Sequence, residues 1–153
     1  MAKAKKWEIK KLQKKHSLKK TSQIVLKNRL NAVTESIAKY IADNTVENLH
    51  SMRIAIRRLR YGMEIFLVCF EKKKYLAFYD LIVGLQDQSG LVRDLDILIE
   101  NVNKLKTESG IKNLTEVEKE IFNKKEILTI DLETKLRQFM ENEIVKDFKI
   151  ILA

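Results

Sequence analysis

Between Leu49 and Phe70 the chain reads LHSMRIAIRRLRYGMEIFLVCF, with apolar residues at Leu49, Met52, Ile56, Leu59, Met63, Phe66 and Phe70. Steps of three and four sustained over about six turns fit an α-helix with one buried face, because a half-buried strand alternates every second residue. His50, Arg53, Arg57 and Arg60 fall on a second line, rotated about 100° from the apolar one. A basic row at the edge of a packed seam lines a groove or an inner wall. Arg58 adds a further cation off that line.

Such a row needs anions to face. The guanidinium is a rigid fork of donors that matches phosphate or carboxylate and stays charged at physiological pH. One reading is an internal ion-pair network between packed helices, using Glu64, four residues after Arg60, and the carboxylates of Arg93-Asp94-Leu95-Asp96. The other is an external anion. Counting Arg93, five Arg and His50 share only Glu64, Asp94 and Asp96, and that excess favours a ligand.

The rest of the chain suits long helices. It has 45% hydrophobic residues, no Pro and four Gly, which fits helices joined by short turns and fits an all-β chain badly. No apolar run approaches the length of a membrane span, and the first twenty residues lack a secretory apolar core, so cytoplasmic residence without membrane insertion is expected. Cys69 is the single cysteine, read as a small core residue; with two His and scattered Gly62, Gly84, Gly90 and Gly110, no metal site, phosphate loop or cofactor is expected. Asp94 and Asp96 lack a nucleophile–base pair beside them, so the expected role is not enzymatic.

Charge divides the chain. Residues 1–20 hold nine Lys and one Glu, +8 of the net +9, leaving 21 basic against 20 acidic residues in the remainder. Residues 1–20 therefore read as a basic arm, either mobile or an amphipathic helix through Trp7, Ile9 and Leu12, and residues 21–153 as the folded body. The first body helix is expected from Thr21 or Ser22 to about Ala42, with Ile24, Leu26, Leu30, Val33, Ile37 and Ile41 inward; Lys27 and Arg29 are candidates for further ligand contacts. After Asp43-Asn44-Thr45, the key helix is expected over about 46–70. A third helix opens at Tyr75 with Phe78, Tyr79, Ile82 and Leu85 inward; at Gly90 it either ends or lets another helix pack closely. The apolar line resumes through Leu91, Leu95, Leu98, Val102 and Leu105. Glu108-Ser109-Gly110 breaks the chain, and a last helix from about Leu114 to Met140 carries Val117, Ile121, Leu128, Leu132, Leu136 and Phe139 inward. The apolar end IVKDFKIILA has no cap and must pack on something, for which a second subunit is one candidate. Together these segments predict an all-α, up-and-down antiparallel helical bundle.

Two segments, LHSMRIAIRRLRYGMEIF and SGLVRDLDILIE, together resemble the CHAD family, the conserved histidine α-helical domain. Its pattern V-H-x-[LM]-R-[VI]-x-x-[RK]-R-[LI]-R is met by His50, Met52, Arg53, Ile54, Arg57, Arg58, Leu59 and Arg60, and its L-G-x-x-R-D-L-D-V by Gly90, Arg93, Asp94, Leu95 and Asp96. Leu49, Ser89 and Ile97 depart from it. The resemblance spans roughly residues 20–140. It implies a non-catalytic module that binds inorganic polyphosphate and associates with polyphosphate granules, with His50, Arg53, Arg57, Arg58, Arg60 and Arg93 as contacts; Asp94 and Asp96, which accept rather than donate when ionised, are expected either to orient the Arg forks or to cap the helix start. Family domains look like two helical bundles side by side, and this chain has one set of motifs, so a homodimer would restore the pair and bury the apolar end. The alternative function is nucleic-acid binding through the basic arm and the Arg row, although the row lacks aromatic stacking platforms.

Overall fold

The computed structural model of the protein describes Ile9 and residues 11–153. Among these residues there are five α-helices and no strand. Helix α1 is Leu18–Ala42, opened by Ser17 in extended backbone, whose hydroxyl accepts from Lys20 N at 3.1 Å. The expected caps Thr21 and Ser22 lie inside the helix. Leu18-Lys19-Lys20 contains no helix breaker, so the helix runs back to the earlier serine, and the fully buried Ser22 turns its hydroxyl onto Lys19 O at 2.7 Å. The boundary expected between residues 20 and 21 thus falls within α1. Residues 11–17 carry turns rather than an amphipathic helix, and Trp7 lies outside the described residues.

Thr45 caps α2, Val46–Phe66, by accepting from Asn48 N at 3.2 Å. Leu49, Met52, Ile56, Leu59 and Met63 are at most 1% exposed, and burying each stabilises the fold by about 1.5–3 kcal/mol. The helix stops short of Phe70: Leu67–Cys69 tightens into a 3-10 turn. Lys19 closes that corner, donating to Cys69 O at 2.6 Å with its ammonium 3.8 Å from the Phe70 ring centre. Cys69 packs half-buried against the core, as expected.

Helix α3, Lys72–Ser109, is continuous for 38 residues, and Gly110 ends it in the left-handed conformation at φ 63°. Gly90 therefore does not break the helix. The unbroken helix also corrects the inward line. The face set by Phe78, Ile82 and Leu85 continues at heptad spacing through Ser89, Val92 and Asp96, two of which are polar; following the apolar residues alone leads to Leu91, Leu98 and Leu105, which are exposed. Helix α4 is Thr115–Glu141, with Ile121, Leu132, Leu136 and Phe139 buried and Val117 exposed.

Asn142 caps a further helix, α5, Glu143–Ile151, by accepting from Ile144 N at 2.8 Å. This segment buries Val145, Phe148 and Leu152 in the chain's own core, where Phe148 stacks on Phe78 with ring centres 3.9 Å apart. Its burial needs no second subunit, which removes that argument for a homodimer.

The helices pack in sequence, α1 on α2, α2 on α3 and α3 on α4, with α5 returning against α3 and α4. At 1.5 Å per residue α3 is about 57 Å long and outreaches α2. The overhanging end of the α3–α4 hairpin forms its own small cluster of Leu95, Val102 and Ile121. One core from all five helices fills the remainder.

Candidate functional site

Three contacts fix the register of α2 against α3. Tyr75 donates its hydroxyl to Met63 O at 2.8 Å, Tyr79 OH lies 3.3 Å from Arg60 Nε, and Arg53 Nη1 lies 3.4 Å from both Gln86 O and Ser89 Oγ. As residue numbers rise along α3 they fall along α2, so the basic row runs down the seam between two antiparallel helices. From His50 to Arg60 it spans about 15 Å of helix.

Arg53 shows why the two sequence motifs belong together. Its guanidinium occupies the space a side chain at position 90 would take: a Cβ on Gly90 would stand 3.1 Å from Arg53 Nη1. Glycine at this position lets the fork lie against the helix backbone without being displaced. Partial burial is the largest cause holding the Arg53 guanidinium below its ordinary pKa; the positive charge of Arg57 adds to it, Asp94 opposes it, and Arg93 adds again. Arg53, Arg57, Arg93 and Asp94, drawn from both motifs, thus form one electrostatic cluster.

The lower end of the row is already engaged. Arg60 Nε donates to Glu64 Oε1 at 3.0 Å, and Tyr79 OH donates to the same oxygen at 2.7 Å. The Tyr79 hydrogen bond, followed by that of Glu64, raises the Arg60 pKa, and the Tyr79 bond leads the causes that lower Glu64. At the upper end Arg93 Nη1 lies 3.5 Å from Glu100 Oε1, a charge contact without hydrogen-bond alignment. Arg57 and His50 are exposed and have no acidic partner among the described residues.

Four predicted residues fall elsewhere. Asp96 does not orient the Arg forks: it is 4% exposed and faces α4, with Lys125 Nζ 2.6 Å from Oδ1, off the hydrogen-bond direction. Burial, then Glu133 and Asp96, push the Tyr40 hydroxyl up to about 12, which places Asp96 on the α1–α4 side of the bundle. Arg58 is exposed and stands about 120° round α2 from the row. Lys27 lines a cleft on the opposite edge of α1. Arg29 is half-buried on α1 and makes no ion pair among the described residues.

Of the α3 wall the sequence reading named Arg93 as a contact and Tyr79 only as an inward residue, and it missed Gln86 and Glu100. Tyr79, Gln86, Arg93 and Glu100 repeat every seven residues and so form one stripe, a spacing that was available from the sequence. Among the described residues, the buried side-chain atoms without an aligned partner are Gln86 Oε1, Arg93 Nη1 and Asp96 Oδ1, all in one stretch of α3. Leaving such groups unpaired costs about 1–3 kcal/mol each. Two of these atoms, on Gln86 and Arg93, belong to the stripe that faces the Arg row, and the third, on Asp96, lies beside Lys125 of α4.

Compared with known proteins, the family model described as CHAD domain matches residues 1–109, α1 to the end of α3, with both motifs inside it. The match ends earlier than the expected 20–140 and leaves out α4 and α5. No curated protein and no solved structure matches the chain.

Proposed function

Because the chain belongs to the CHAD domain family, which is known in general for polyphosphate binding, we propose that it is a non-catalytic module holding inorganic polyphosphate along the α2–α3 groove. The observation that carries this reading is the surplus of positive charge in that groove. Glu64 is taken by Arg60 and Tyr79, Glu100 lies by Arg93, and Asp94 alone opposes the charge around Arg53, while His50 and Arg57 have no acid.

The chemistry of the ligand fits that surplus. Polyphosphate is a flexible chain with about one negative charge per unit, and cations repeating once per helical turn, about 5.4 Å, meet successive units with forked hydrogen bonds. In this reading Arg53, Arg57 and Arg93 are the principal contacts, His50 extends the row, and Arg60 joins when phosphate competes with Glu64. Because the row runs lengthwise along the α2–α3 seam, the site in this reading tracks a polymer laid along it rather than enclosing a small molecule.

The test is competition binding of long-chain polyphosphate, single-stranded DNA and RNA at several salt concentrations, to the parent and to Arg53→Gln/Arg57→Gln. Each charge-assisted contact contributes about 1.5–3 kcal/mol, so the double variant should bind polyphosphate at least ~100-fold more weakly. By analogy with single-stranded nucleic acid, its salt slope should be shallower by about 1.4. Its helical circular dichroism and melting should match the parent. A parent that ignores polyphosphate, or prefers RNA or DNA to it, defeats the proposal.

A further inference from the structure

A cleft of 570 Å3 lies on the other side of the bundle, between the outer edge of α1, the segment 11–16 and the C-terminal turn. Lys20, Ile24, Lys27 and Asn31 stand at helical spacing along one wall, and Lys11 and His16 belong to the facing segment. The chain reverses there through Lys11 at φ 72°, left-handed backbone without glycine. His16 Nδ1 accepts from Gln13 N at 3.4 Å, so in the neutral ring Nε2 carries the proton and donates.

No acidic side chain offsets the lysines of this cleft. Lys74, Lys106, Lys125, Lys135 and Lys146 each pair with a carboxylate elsewhere on the surface. Lys11, Lys20 and Lys27 have no such partner among the described residues, and no Asp or Glu side chain lines the cleft. Three lysines lining one cleft with no acidic side chain among its walls suit a compact, multiply charged phosphate.

The amides narrow the choice further. Gln13, Gln23, Asn28 and Asn31 also line the cleft. Gln23 Nε2 already donates to Ile151 O at 3.2 Å, which leaves its Oε1 as an acceptor. An ionised phosphate chain has no donor to offer such oxygens, whereas the amino and hydroxyl groups of an organic phosphate do. The half-exposed Ile24 supplies apolar surface beside the amides, and the volume is that of a small-ligand site.

We infer that this cleft is a second anion site, separate from the α2–α3 groove, and that it takes a nucleoside polyphosphate. The inference does not rest on polyphosphate binding in the groove. Its test is titration of the full chain with ATP, and separately with inorganic tripolyphosphate, following backbone and side-chain amides by NMR. ATP should shift the Asn28 and Asn31 side-chain amides in the parent and equally in Arg53→Gln/Arg57→Gln. Lys20→Gln/Lys27→Gln should weaken that binding at least tenfold. Asn31→Asp, which adds a negative charge to an exposed wall position, should do the same while leaving long-chain polyphosphate affinity unchanged. Shifts confined to α2 and α3, unchanged ATP affinity in the lysine variant, or tripolyphosphate binding the cleft as tightly as ATP would each overturn the inference.

Discussion

Gly90→Ala separates the stability of α3 from the geometry of the Arg row. Position 90 is inside a continuous helix, where Ala is more favourable than Gly by about 0.8–1.0 kcal/mol. The added Cβ would meet Arg53 Nη1 at 3.1 Å, tighter than ordinary contact, so the end of a flexible side chain must move by a few tenths of an ångström. What that movement breaks is weak, because Arg53 reaches Gln86 O and Ser89 Oγ at 3.4 Å each, the long limit of a hydrogen bond. Losing both costs at most about 1 kcal/mol, so the variant should be neutral or slightly stabilised, with a melting temperature unchanged or raised by up to about 4 °C. Polyphosphate affinity should nevertheless fall about three- to tenfold, because Arg53 no longer rests against α3 in line with Arg57 and Arg93. Calorimetry and a binding isotherm on the same sample make the comparison. Unchanged affinity would show that the seat of Arg53 against α3 does not matter to the ligand. A loss of stability above about 2 kcal/mol would show that the guanidinium cannot yield, contradicting the energetic argument.

Phe148→Ala should destabilise the chain by about 3–5 kcal/mol in denaturant unfolding, since it empties a fully buried position stacked on Phe78; a negligible loss would mean that α5 does not complete the core. Asp96→Asn should cost about 1–3 kcal/mol by leaving the part-exposed Lys125 without its partner, while the folded variant keeps its polyphosphate affinity; a weakened ligand would restore Asp96 to the site. Tyr79→Phe should return the Glu64 pKa toward 4.5, read by NMR titration of its side chain. Because folding lowers this pKa, the Glu64 contribution to stability is present above the unfolded value and is lost as pH falls through the folded one, so Tyr79→Phe should flatten the acid limb below about pH 4.5. An unmoved Glu64 pKa would rule out the Tyr79 hydrogen bond as its main cause.

Local sequence determined the fold class and the contents of the basic row. A period near 3.6, cap residues such as Thr45 and a stop at Gly110 are properties of short segments, so the α2 seam and the breaks at 43–45 and 108–110 were legible before any packing was known. The continuity of α3 was not legible, because Gly90 in a sequence is equally a helix end and a close-contact position. The Arg53 guanidinium, arriving from α2, decides between them. For the same reason the inward line through Ser89 and Asp96 escaped a search for apolar residues: a buried polar side chain is tolerated only with a partner, and Lys125, the partner of Asp96, comes from a helix about thirty residues away. The apolar C-terminus declared that it must be buried without declaring where. Only the tertiary structure placed Phe148 on Phe78 and Tyr75, because hydrophobic burial is non-directional and any sufficiently close apolar surface satisfies it.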